Sequence, residues 1–127
     1  MYTITKRIEV ASSHYLKLPY ESKCKNVHGH NWIIEVEISG PRLNPEGMLI
    51  DFTHIKKVVN QLDHANINDV LDYINPTAEN IARWIALRLN DLIERNWSGD
   101  KGFDPQVTKV SVQESEGNIA IWTLDSP

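Results

Sequence analysis

The stretch CKNVHGHNW brings Cys24, His28 and His30 within seven residues of one another. Imidazole and thiolate are ligand types that zinc prefers, and a thiol close to a cation is also a candidate proton carrier. His28 and His30 are two apart, so on an extended strand their side chains share a face. His14, further upstream, falls in the matching phase of another alternating segment. Three neutral imidazoles with an open fourth position suit a catalytic zinc, which would supply Lewis acidity in a partly dry cavity. With Cys24 as fourth ligand, the same residues would instead form a closed structural site. An isolated His-x-His pair is a weak motif, and the third histidine is what gives it weight.

The elements that must deliver these residues are legible from periodicity. Tyr2, Ile4, Lys6, Ile8 and Val10 fall in one phase and Thr3, Thr5, Arg7 and Glu9 in the other, which predicts a half-buried strand with Lys6 as an exception. The apolar phase continues to Ser12 and His14. A second alternation runs through Trp32, Ile34, Val36 and Ile38, with Ile33 as its exception, and extends backward to His30 and His28. If the two strands pair antiparallel, the end of one lies beside the start of the other, and the three imidazoles converge. Asp51 is placed to cap a helix whose apolar stripe is Phe52, Ile55, Val58, Val59 and Leu62. LDHANIND reads as a polar turn. NPTAENIARWIALRLNDLI is the clearest helix, capped by Asn75 or Thr77, with Pro76 suited to its start and Ile81, Trp84, Ile85, Leu89 and Leu92 on one face. After a loop over Trp97–Gly102, QVTKVSVQE and NIAIWTL read as strands joined by a turn at Glu116, Gly117 and Asn118. The order β-β-α-α-β-β predicts an α+β fold: an antiparallel four-stranded sheet with two helices on one face.

Most of the other polar residues admit two readings. Asp63 and His64 sit in the turn between the helices. Adjacent side chains rarely bond each other well, so the pair is either a relay that reaches Cys24 in the fold, across a subunit boundary, or ordinary turn chemistry. His54 reads as a solvated surface histidine. Glu114 follows Val110 and Val112 in phase, and a carboxylate there needs a partner. It could accept a flat N–H/NH2 edge such as that of a guanine-like or pterin ring, or it could stand in water at the rim, with Glu116 as a competitor for either role. Lys23 and Lys25 flank Cys24 and could meet phosphates or remain solvated. A hydrolase using metal-bound hydroxide would need neither Cys24 nor Glu114.

Composition bounds these choices. The 127 residues, 41% hydrophobic and 24% charged, predict one globular domain over 1–127. No apolar run approaches membrane-spanning length and no secretory pattern opens the chain, so no membrane partner is expected. A single cysteine excludes an internal disulfide framework and points to a reducing cytoplasm. A net charge of -4 argues against a nucleic-acid partner.

Taken together, ASSHYL, CKNVHGHNW, MLIDF, LDHANIND, NPTAEN and VQESEGN resemble, in order and rough spacing, the 6-pyruvoyl-tetrahydropterin synthase family, over nearly the whole chain. The joint occurrence of Cys-x-x-x-His-Gly-His, Leu-Asp-His and a late Glu is its most specific part. The three-residue gap between Cys24 and His28 resembles the 6-carboxy-tetrahydropterin synthase branch of queuosine biosynthesis, since the pyruvoyl-forming enzymes of animals usually have a longer gap. The resemblance implies Zn2+ on His14, His28 and His30, a proton-transfer set of Cys24, Asp63 and His64, and Glu114 as pterin anchor. It also implies the tunnelling fold, a homohexamer built as a dimer of trimers with active sites between subunits, and 7,8-dihydroneopterin triphosphate as substrate. Val10 stands where the family often has an aromatic residue, and Ile67 replaces a common leucine. A sister branch carries glutamate in place of the cysteine, and the presence of Cys24 argues against that branch here.

Overall fold

The computed structural model describes residues 1–125. Strands β1 (Tyr2–His14) and β2 (His28–Gly40) pair antiparallel over their whole length, with Tyr2 opposite Gly40 and His14 opposite His28. Strand β3 (Gln106–Ser115) lies against β2, and β4 (Asn118–Thr123) completes an antiparallel sheet of order β1-β2-β3-β4. The alternation of the sequence is reproduced as burial. Val10, Trp32, Ile34, Val36, Ile38, Val110 and Val112 lie in the core, while Thr5, Arg7, Glu9 and Glu35 face outward. Lys6 shares the inward phase because its apolar stem can run along the sheet while its ammonium lies 5.9 Å from the ring centroid of Phe52.

Two register shifts shape the sheet. Between Glu37 and Ile38 the pairing passes from Lys109 to Val107, so Thr108 is an extra residue and Val107 joins Val110 in the core despite its odd spacing. Between Gln113 and Ser115 the β3–β4 pairing skips Glu114. The hairpin then turns through Glu116 and Gly117, whose φ of +81° suits glycine.

The helices cover one face of the sheet. Helix α1 (Phe52–Val59) starts at Asp51, whose carboxylate accepts from Thr53 N, and continues into a 3-10 turn at Asn60–Leu62. Phe52 does not belong to the buried stripe as expected; it stays exposed under Lys6, while Ile55, Val58, Val59 and Leu62 are buried. The LDHANIND segment is more ordered than a polar turn. Asn66 caps a short helix α2 (Ile67–Val70), accepting from Asn68 N, and Ile67 is buried. The described residues thus hold three α-helices where two were expected. Helix α3 (Ala78–Asn96) is capped by Thr77, not Asn75, and buries Ile81, Trp84, Ile85, Leu89 and Ile93 against the sheet, with Leu92 only half-buried. His54 is half-buried rather than fully solvated.

Ile85 is fully buried at the centre of this layer. Ile85→Ala should lower stability by about 2–5 kcal/mol, the range for emptying an isoleucine site in a close-packed core. Chemical denaturation measures it, and a loss below 1 kcal/mol, roughly the surface-substitution range, would contradict this packing.

Candidate metal centre and its surroundings

The β1–β2 register brings His14 directly opposite His28, and Ser12 opposite His30. Even-numbered residues of both strands face the helices, so all three imidazoles meet at one end of the inner face. Their ring centroids lie 4.6 Å (His14–His28), 4.8 Å (His28–His30) and 5.3 Å (His14–His30) apart. Trp32 forms the wall toward the core. Its ring meets His14 edge-on at 4.8 Å and His30 at 5.2 Å, and its Nε1–H donates to Ser12 O at 3.2 Å.

Backbone carbonyls set the tautomers. A carbonyl can only accept, so His14 Nδ1–H donates to Pro76 O at 2.8 Å and His28 Nδ1–H to Asn26 O at 2.7 Å. The Nε2 of each neutral ring is thereby left with its lone pair free, the arrangement of imidazoles that ligate through Nε2. His14 Nε2 is buried with no hydrogen-bond partner among the described residues, which is costly unless something fills the gap. Burial is the main influence on His14, pushing its pKa below the usual imidazole value against the Pro76 hydrogen bond; burial likewise lowers His30, against the pull of Glu114. Both shifts favour the neutral, ligating form.

Glu114 joins this group. Its Oε1 lies 3.2 Å from His30 Nε2, at a distance of ionic contact but without hydrogen-bond alignment. One potential ligand atom from each of His14, His28, His30 and Glu114 falls within 4.8 Å of the others, and that donor set fits a divalent zinc-like ion. Glu114 keeps the inward phase of Val110 and Val112 on β3, and that alternation turns it toward the imidazoles. Glu116 stands exposed at the hairpin tip and does not compete. Glu114 also borders an open recess of about 510 Å³, lined in addition by Ala78, Glu79, Gly117 and Asn118. Glu79 was not singled out from sequence, because an acid in the first turn of α3 reads as ordinary helix-dipole chemistry. The carbonyls of Pro76 and Asn26 carried no sequence signal at all.

Cys24 lies outside the four-residue cluster, in a 3-10 turn (Lys23–Lys25) capped by Ser22. Its thiol therefore does not close the imidazole shell. Lys25 Nζ makes an exposed contact with Glu21 at 3.4 Å.

Asp63 and His64 do bond each other, contrary to expectation: His64 Nδ1 is 3.0 Å from Asp63 Oδ2. The reason is the backbone of His64, whose φ of +53° folds the two adjacent side chains together. The pair is anchored on the outer edge of β1, where Ala11 N–H donates to Asp63 Oδ1 at 2.9 Å and His64 N–H to Ala11 O at 2.7 Å. The His64 side chain is 82% exposed and overlooks an open depression beside Ser13 and Asn31, on the outward face. The structure thus does not bring Asp63 and His64 to Cys24 within one chain.

A helix-backed antiparallel sheet with an imidazole cluster at one end of its inner face defines a tunnelling-fold protein with the donors for a metal centre. The family profile described as 6-pyruvoyl tetrahydropterin synthase matches residues 3–124, and the chain belongs to that family. A relative named putative 6-carboxy-5,6,7,8-tetrahydropterin synthase, from Pyrococcus horikoshii, is 38% identical over 69% of this chain and 76% of its own. A relative named 6-pyruvoyl tetrahydrobiopterin synthase, from Dictyostelium discoideum, is 39% identical over 94% of this chain and 93% of its own. The solved structure of Caenorhabditis elegans 6-pyruvoyl tetrahydropterin synthase superimposes with a TM-score of 0.69 at 22% identity, covering 98% of this chain and 96% of that one, and shares the fold.

The hydrogen bond from Ala11 N–H, aided by His64, holds the Asp63 carboxyl below its ordinary value of 3.8. On acidification the unfolded chain therefore takes up this proton first. The stabilising contribution is complete above about pH 5 and is lost as pH falls through the depressed folded value. The difference in urea midpoint between wild type and Asp63→Asn should be present at about pH 5 and shrink below about pH 4. A difference that stays flat down to pH 3, about one unit below the ordinary carboxyl value, would remove this linkage.

Proposed function

We propose that this chain is a zinc-dependent 6-carboxy-5,6,7,8-tetrahydropterin synthase that converts 7,8-dihydroneopterin triphosphate and one water to 6-carboxy-tetrahydropterin, acetaldehyde and triphosphate. The observation that carries the reading is the convergence of His14, His28 and His30 with a buried, unpartnered Nε2, in a member of a pterin synthase family. The name of the Pyrococcus horikoshii relative and the short gap between Cys24 and His28 favour the carboxy-forming reaction. His14, His28 and His30 would hold the metal, which when bound would supply Lewis acidity toward the side-chain oxygens of the pterin.

The protein groups divide the remaining work. Glu114 Oε atoms accept the N–H and NH2 of the pterin edge at the recess shared with Glu79. Cys24 Sγ, as thiolate, takes and returns the side-chain protons. His64 Nε2, with Nδ1 held by Asp63, exchanges protons with the thiol of a neighbouring subunit, which accounts for its exposure on the outer edge of β1. This division requires an assembly with sites between subunits, read as a homohexamer formed from two trimers. Ile119 and Ile121, both exposed on the outward face of edge strand β4, support such contacts. No helix among the described residues is long and apolar enough to cross a membrane, and the lone cysteine suits a cytoplasmic setting.

Two observations favour second readings. The Dictyostelium relative covers more of the chain than the Pyrococcus one, which supports a pyruvoyl-forming synthase on the same substrate. The 3.2 Å approach of Glu114 to His30 supports Glu114 as a fourth metal ligand instead of a pterin anchor.

Mass analysis of the product after incubation of zinc-loaded protein with dihydroneopterin triphosphate separates the two synthases: 6-carboxy-tetrahydropterin with acetaldehyde is expected, and a pyruvoyl product would overturn the assignment. Cys24→Ala should keep the metal stoichiometry and lose turnover by about 10²–10⁴-fold. Full activity in that variant would remove the thiol from the mechanism. Glu114→Gln should retain metal and raise KM if Glu114 holds the pterin. If it ligates instead, metal affinity falls by about 10-fold or more.

A further inference from the structure

Strand β1 ends at His14, yet its outer edge goes on being paired. Tyr15 N–H donates to Asn68 Oδ1 at 2.8 Å, and Asn68 Nδ2 donates back to Tyr15 O at 3.0 Å. Two residues later the pattern repeats: Lys17 N–H donates to Asn75 Oδ1 at 2.9 Å, and Asn75 Nδ2 to Lys17 O at 3.1 Å. Each carboxamide thus satisfies both polar groups of one residue, as a neighbouring strand would. Together with the bonds at Ala11 and Ser13, alternate residues from 11 to 17 are held by the segment from Asp63 to Asn75.

The opposite edge of this extension carries Cys24. Leu16 N–H, between the two clamped residues, donates to Cys24 O at 2.7 Å. The thiol-bearing turn is therefore tied to a backbone point two residues after His14, and it lies four residues before His28. The clamps are themselves fixed. Asn68 N–H donates to the cap Asn66 at 3.1 Å, and Asn75 O accepts from Thr77 N at 2.8 Å and from Asn80 Nδ2 at 2.9 Å.

We infer that Asn68 and Asn75 are positioning residues, whose side-chain amides extend the β1 ladder past His14 so that Leu16 holds Cys24 in register with the imidazole cluster. Neither residue is in the proposed catalytic set; both act through the backbone of residues 15–17. The inference rests on Cys24 as proton carrier for its catalytic consequence, but its structural half stands without it. Misplacement of a reacting group by about 1 Å from a remote change can cost about 10²-fold in rate, so loosening this tie should be visible in kcat.

The test uses zinc-loaded full-length protein as wild type, Asn68→Ala, Asn75→Ala, and Asn68→Asp and Asn75→Asp, which keep the accepting oxygen and lose the NH2. Three quantities are read: metal stoichiometry, the iodoacetamide alkylation rate of Cys24, which is the sole thiol, and kcat with KM on dihydroneopterin triphosphate. In the alanine variants metal content should hold. Alkylation should rise by about threefold or more, as the strap opens locally. Turnover should fall by about tenfold or more with KM within about twofold, and the aspartate variants should lie between. Alkylation and kcat both equal to wild type, or a loss of kcat that only tracks loss of metal, would overturn the inference. Should an alanine variant fail to fold, the aspartate variant at that position decides by the same criteria. If wild type itself does not act on the pterin, the proposed activity falls, and the clamp is judged on alkylation alone.

Discussion

The site depends on one register: thirteen residues of β1 against thirteen of β2, ending with His14 opposite His28. Side chains alternate with a period of two, so a slip of one residue would turn His28 and His30 to the outward face while His14 stayed within. The same slip would expose Trp32, Ile34, Val36 and Ile38, all of which are buried. The core and the imidazole cluster are therefore specified by the same alternation. Folding the hairpin correctly and assembling the donors are a single event.

The inner face changes character along its length. Toward Gly40 it is a close-packed apolar layer under α1 and α3. Toward His14 it becomes polar, and Trp32 is the boundary, packed against the core on one side and against two imidazoles on the other. Bringing neutral imidazoles into such surroundings is tolerable because the Nδ1–H groups of His14 and His28 meet backbone carbonyls. What remains unsatisfied in the cluster among the described residues is concentrated at the Nε2 atoms of His14 and His30, where an ion would sit. Residual polarity confined to a few convergent atoms is how a binding site is kept specific within an otherwise dry interior.

Much of this was legible in the residue order. The two N-terminal strands, the long helix and the final hairpin follow from periodicity and turn chemistry, and the meeting of the three histidines follows from strand geometry alone. Other features were not legible. Helix α2 has only four residues, too few for a periodic signal, and rests on the cap at Asn66 and the burial of Ile67. The contact between Asp63 and His64 depends on a backbone angle that residue type does not announce. Glu114 follows Val110 and Val112 in the inward phase, but the residue order did not say which polar group it would meet there; it approaches His30. Asparagine and threonine both favour a cap, so the residue order left Asn75 and Thr77 as alternatives; the Asn75 amide is engaged by Lys17, and Thr77 takes the cap. For Asn75 a long-range partner, the backbone of Lys17, decided between local options.

His64 separates two demands that usually travel together. Its left-handed backbone is a conformation that glycine and asparagine adopt readily and β-branched residues resist. Replacement by asparagine or glycine would leave the loop shape intact while deleting the imidazole, whereas valine or isoleucine would disturb the loop as well. Tolerance at this position should therefore follow two independent axes, one conformational and one chemical, and a library of substitutions at residue 64 would resolve them into separate clusters.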